Sequence, residues 1–158
     1  MTHVQTCILV FAVMLITLVG GCSSKYIVTE PVEGIVTMDG EPLEGCSITL
    51  YPVEEGMGEP SYAYTDAKGY YRVGTFKGRI DAGTTPGEYI VGFSKWVQVP
   101  TGRKVRDDDG SMVDQMREVN LVHRNYESKE RSPWKVTVVK GKNRFDFALK
   151  SDGSGATQ

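Results

Sequence analysis

The sequence predicts an all-β protein, an antiparallel β-sandwich of about seven short strands. Three observations predict it. First, apolar and polar residues alternate with period two over short segments, as in Tyr89, Val91 and Phe93 against Ile90, Gly92 and Ser94. That is the pattern of strands with one buried face. Second, 18 glycines and 7 prolines, with 8 tyrosines among the aromatics, suit short strands joined by tight turns. Third, no stretch carries a strong 3.6-residue apolar period. Strands with one apolar face each must pack in two layers to hide those faces from water.

The domain covers residues 31–150, and Pro31 marks its entry. Val32 to Met38 is the first strand, with Val32, Gly34, Val36 and Met38 on one face. Asp39–Gly40 is a turn signal, and Leu43 tucks under the connection that follows. Cys46 to Tyr51 is the second strand, with Cys46, Ile48 and Leu50 inward, and Pro52 ends it because proline cannot donate to a ladder. An acidic loop then leads to the stretch from Ser61 to Phe76, expected as a central β-hairpin. Tyr62 and Tyr64 alternate with Ser61 and Ala63 before its turn, and Tyr71 and Val73 alternate with Tyr70 and Arg72 after it. Asp66 is placed to accept backbone N–H groups inside the turn, and Gly69 to close it. Pro86–Gly87 turns the chain into a strand from Glu88 to Trp96.

From 97 to 131 the alternation fails, and a long irregular insert is expected. Met112, Met116 and Val119 would share one side of a short helix from Ser111 to Val119. Order returns with Trp134 to Val139 and Arg144 to Lys150, which flank the Lys140–Asn143 turn as a second hairpin. Residues 151–158 read as a disordered tail.

The first thirty residues are of another kind. No Asp, Glu, Lys or Arg precedes Lys25, and Cys7 to Val19 is an almost unbroken apolar run. It is short for a membrane span and suits a signal-peptide core. Leu18–Val19–Gly20–Gly21–Cys22 resembles a bacterial lipobox. The resemblance implies a cleaved lipoprotein signal peptide at 1–21, acylation of Cys22, and a polar tether at 22–30. Met1 to Thr6 holds no Lys or Arg, so a signal anchor that is never cut is the alternative. On the first reading the partner is a membrane, held through an N-terminal lipid. The address is the cell membrane or outer membrane, facing the periplasm or the exterior. Ser23 stands where enteric lipoproteins of the inner membrane carry aspartate, which by resemblance allows the outer membrane. Of the three cysteines, Cys7 leaves with the signal and Cys22 carries lipid, which leaves Cys46 without a disulfide partner and reads it as a small buried hydrophobe.

Several motifs in order then resemble a known family: Val32-x-Gly34-x-Val36, Asp39–Gly40–Glu41–Pro42–Leu43–Glu44–Gly45, Ile48-x-Leu50, Thr65–Asp66-x-x-Gly69-x-Tyr71-x-Val73 and Pro86–Gly87–Glu88–Tyr89-x-Val91. They are similar to the carboxypeptidase regulatory-like, transthyretin-like (prealbumin-like, Ig-like) β-sandwich. With the lipobox and Asn143–Arg144–Phe145–Asp146–Phe147-x-Leu149, the whole resembles small lipoproteins abundant in planctomycete bacteria. The resemblance implies a seven-stranded sandwich with no established catalysis and a role in stabilising or recognising. A fold so widely shared does not fix a function.

Composition excludes some functions. A net charge of −2 argues against nucleic acid as a partner. The transthyretin-like hydrolases resemble a site of paired histidines, an arginine and a C-terminal Tyr-Arg-Gly-Ser, but this chain keeps His123 alone after the signal and ends Ser154–Gly155–Ala156–Thr157–Gln158. His123 and Cys46 are too few ligands for zinc. No catalytic residue and no cofactor are expected. The best ion-site candidate is the acidic turn, with Asp107, Asp109 and Asp114 as hard oxygen ligands for calcium, though its spacing lacks the closing Glu and also suits a solvated turn. Tyr62, Tyr64, Tyr70, Trp96 and Trp134 could line a glycan- or protein-binding face, or serve as ordinary cross-strand pairs.

Overall fold

A computed structural model describes residues 28–54, 56, 60–74 and 83–155. The expected signal peptide, Cys22 and most of the tether lie outside the described residues. Among the described residues the regular structure is all β apart from a single 3₁₀ turn.

The first sheet is built on β1 (Val32–Met38). On one edge it pairs antiparallel with β5 (Tyr70–Arg72) and then β2 (Glu41–Pro42). On the other edge it pairs parallel with β10 (Asn143–Arg144) and β11 (Phe147–Leu149), which keep one register and form a single interrupted line. Asp146 bridges the interruption, because its Oδ1 accepts the Ile35 N–H at 2.9 Å where a strand carbonyl would otherwise stand. The second sheet runs in the order β4 (Ser61–Tyr64), β3 (Ser47–Pro52), β6 (Gly87–Ser94), β9 (Lys135–Val138), all antiparallel.

The inward faces of both sheets share one core. Val36, Tyr71 and Phe147 of the first sheet meet Ile48, Leu50, Val91 and Phe93 of the second. Phe147 lies edge-on to Phe93 at 5.0 Å and to Trp134 at 5.3 Å, which ties the layers together. Two sheets closing on one apolar core are the arrangement of a β-sandwich. The period-two faces named from sequence are the buried ones, and Leu43 and Cys46 are sealed with them.

Several expectations need correction. The Ser61–Phe76 stretch closes as a hairpin only at its turn and at an isolated antiparallel bridge between Tyr62 and Gly74, and is not a hairpin within one sheet. Its turn forms as expected, with Asp66 Oδ1 accepting the N–H groups of Lys68 and Tyr70, but β4 joins the second sheet and β5 the first. The same turn chemistry serves a hairpin and a corner between layers, so only the tertiary partners distinguish them. Trp134–Val139 and Arg144–Lys150 likewise divide between sheets, which makes the β1–β10 and β1–β11 pairs parallel in a protein expected to be wholly antiparallel.

The 97–131 insert is not irregular throughout, and Ser111–Val119 is not a helix. Trp96–Arg106 (β7) and Met112–Asn120 (β8) form a separate two-stranded ribbon. Only the stretch after it, with the 3₁₀ turn Arg124–Tyr126, lacks strands. The tail is ordered as far as Gly155, since Ser151 N–H donates to Asp39 Oδ1 and Gly155 N–H to the Tyr126 hydroxyl. In all, eleven strands are described rather than about seven. The ribbon, the two-residue β2 and the split of the last line into β10 and β11 account for the surplus.

Candidate functional site

The feature that projects from the body is the β7–β8 ribbon. Its root is fixed by backbone geometry. Asn120 Oδ1 accepts the Lys95 N–H at 2.8 Å and the Val122 N–H at 3.1 Å, and Leu121 N–H donates to Lys95 O at 2.9 Å. Beyond the root the two strands hold each other, with Gln98 Nε2 donating to Glu118 Oε1 at 3.0 Å and Thr101 facing Gln115. A bulge between Pro100 and Lys104 places extra residues on β7, and Gly102 takes a φ of 78° there. Every residue from 100 to 118 is exposed. Directly opposed residues share a face, so the register sorts the ribbon into two sides. Val97, Val99, Val105, Val113 and Val119 fall on one side with Arg117, and the exposed Trp96, Met112 and Met116 fall on the other with Lys104, Arg106, Asp114 and Glu118.

Sequence pattern alone misses this ribbon. Both sides face water and the bulge shifts the phase of β7, so no long apolar alternation survives. The readable signal is local: Asp109–Gly110 is a hairpin dipeptide, and Val97-x-Val99 and Val113 to Val119 flank it with β-branched residues at strand spacing.

The acidic turn sits at the ribbon's tip, where its carboxylates serve the turn itself. Asp107 Oδ1 accepts the Asp108 N–H at 2.9 Å, and Asp109 Oδ1 accepts the Ser111 N–H at 2.8 Å. Hydrogen bonds from the Ser111 side chain and backbone hold the Asp109 carboxyl below its usual pKa. Asp114 lies across the ribbon from Lys104. Among the described residues no group of three or more His, Cys, Asp or Glu is placed to hold a metal ion, so Asp107, Asp109 and Asp114 are not brought together as one.

The aromatic residues separate. Tyr62, Tyr64 and Trp96 are exposed, Tyr64 by 72% and Trp96 by 56%. Tyr62 and Tyr64 stand on the outer face of β4, while Ser61 and Ala63 point into the core. Tyr70 is half-buried and donates its hydroxyl to Glu33 Oε2 at 2.8 Å, which raises its pKa. Trp134 is core. The structure therefore does not bring all five rings onto one surface.

Cys46 is buried, and burial pushes its thiol up to about 12, far from a nucleophilic thiolate at neutral pH. His123 caps the 3₁₀ turn, its Nδ1 accepting the Asn125 N–H at 3.2 Å. Among the described residues, no helix is long and apolar enough to cross a membrane.

No protein-family model matches the chain, and no curated protein matches it in sequence. Among solved structures it is similar to a 9R-lipoxygenase from Cyanothece PCC8801, at 14% identity and a TM-score of 0.33, over 78% of this chain and 16% of that one. It is also similar to a DUF3823 family protein from Parabacteroides merdae ATCC 43184, at 13% identity and a TM-score of 0.33, over 76% of this chain and 45% of that one. The chain thus spans less than half the length of either structure, and likenesses this distant say nothing of its activity.

Proposed function

We propose that this chain is a non-catalytic, membrane-anchored lipoprotein of the cell envelope, whose transthyretin-like, carboxypeptidase regulatory-like sandwich has a structural or binding role. The observation that carries it is Leu18–Val19–Gly20–Gly21–Cys22 directly after an uncharged apolar core. The body supports it by where it begins. Glu30 already pairs with Thr84, its N–H donating to Thr84 O at 2.8 Å, so the free tether is short. Eight residue steps from Cys22 to Glu30, at about 3.3–3.6 Å each, hold the sandwich within roughly 30 Å of the bilayer surface. Among the described residues, Cys46 is sealed in the core and His123, their one histidine, is engaged as a cap, which fits a body with a structural or binding role. Feeding cells a labelled fatty acid tests this. The wild-type chain takes up label, and Cys22→Ala takes up none and migrates as the uncut precursor. Equal migration of the two chains, with neither labelled, overturns it.

A second reading is favoured by Tyr62 and Tyr64, which present two rings on one outer strand face. Stacking on such rings is how glycans and extended peptides are held. A glycan and peptide array should then show binding that Tyr64→Ala reduces, and an array without signal removes this reading.

A further inference from the structure

We infer that the outer face of the second sheet is a shelf for a neutral glycan, stacked on Tyr64 and Tyr62 and hydrogen-bonded by Ser47, Thr49 and Ser94. The inference deepens the reading in which the two tyrosines hold a ligand, and rests on it. The register sets the shelf out in two rows. Tyr64 stands opposite Ser47, and Ser47 opposite Ser94; Tyr62 stands opposite Thr49, and Thr49 opposite Gly92. Neighbouring strands lie about 4.8 Å apart, and the rows roughly 6.6–6.8 Å apart along the strand, so two rings border a floor of small side chains. The far side is bounded. A Cβ on Gly92 would meet Tyr51 Cε2 at 2.9 Å and Glu127 O at 3.1 Å, so the Tyr51 ring and the chain at Glu127 lie over β6. Lys129 Nζ donates to Pro52 O at 2.7 Å and closes the end of β3.

Three observations choose the occupant. Ser47, Thr49 and Ser94 are half-buried, and among the described residues their hydroxyls bond to no protein group. The hydroxyls of Ser61, Thr65, Thr84 and Ser132 are all committed inside the body. Exposed rings beside unused hydroxyls match the C–H faces and hydroxyl rim of a sugar. Next, neither row carries a charged side chain, and the charges at the boundary are engaged, Arg131 with Glu127 at 3.9 Å and Lys129 with Pro52. An ionic ligand finds no counter-charge there. Last, the edge of β4 is closed to an extended peptide. Tyr62 N–H donates to Gly74 O at 3.4 Å, and Tyr62 O accepts the Gly74 N–H at 3.0 Å. A peptide held by strand addition needs that edge.

The test is titration of the detergent-solubilised full chain with three probes: oligosaccharides of unsubstituted hexoses, the same chains bearing uronic acids, and extended peptides. The hexose chains should bind. Tyr64→Ala should weaken them about tenfold. Thr49→Val and Ser47→Ala each remove one hydroxyl and should weaken them about threefold to tenfold. Thr137→Val, on the same sheet face but beyond the shelf, should leave binding unchanged. Unchanged urea midpoints show that the variants are folded. Peptide or uronate binding that Tyr64→Ala reduces, without hexose binding, would keep the tyrosine reading and overturn the glycan. Hexose binding indifferent to both hydroxyl variants would overturn the shelf. Binding of no probe would overturn both readings.

Discussion

Gly34 shows how tightly single residues are specified. A Cβ there would lie 1.8 Å from the Phe145 carbonyl oxygen and 3.0 Å from Tyr71 Cε1. Gly34→Ala must therefore push the Phe145 backbone, in the link between β10 and β11, away from β1, and should cost about 3 kcal/mol or more in urea unfolding. Tyr126 is the opposite case, a buried ring whose hydroxyl accepts the N–H groups of Lys150 and Gly155 and so pins the C-terminal segment. Tyr126→Phe should cost about 1 kcal/mol and speed amide exchange at Gly155.

Cys46 predicts a pH dependence. Burial in the core pushes its thiol from the ordinary 9.0 up to about 12. Between those values the unfolded chain has lost the proton that the folded chain keeps, so this contribution to stability is intact below pH 9 and fades as pH rises toward 12. The midpoint of urea unfolding should fall less steeply over that range in Cys46→Ala than in wild type. A thiol reagent at pH 8 should react only after unfolding.

The inward residues were legible because a half-buried strand repeats every second residue, as Ile48 and Leu50 do. Gly34 was placed on the correct face, but its contact with Phe145 depends on a residue far along the chain.

At the level of elements, turns were legible and partners were not. Asp66 and Gly69 build the expected turn, yet that turn carries the chain across the sandwich instead of back along its own sheet. Alternation says that a strand has one buried face, and is silent about which edge it joins. The parallel register of β10 and β11 on β1 closes over more than a hundred residues and leaves no local trace. The ribbon was hidden for a different reason, since neither of its faces is buried. Because the hydrogen bonds that tie it to the body among the described residues lie at its root, replacing residues 98–118 with a two-residue Asn-Gly turn should change body stability by no more than about 0.5 kcal/mol. A loss of cooperative unfolding in that variant would show that the ribbon supports the sandwich after all.

At the level of the whole molecule, the chain joins a sealed apolar body to an N-terminal stretch with the pattern of a lipid attachment site. The body explains its own stability through one core shared by two sheets, and its only thiol is held inert within it. What the molecule does for a cell then depends on where that body is held. Mass spectrometry of the mature protein's N-terminal peptide tests this most directly. A peptide that begins at a diacylglyceryl-modified Cys22 is the predicted result, and a peptide that begins at Met1 with Cys22 unmodified would contradict it.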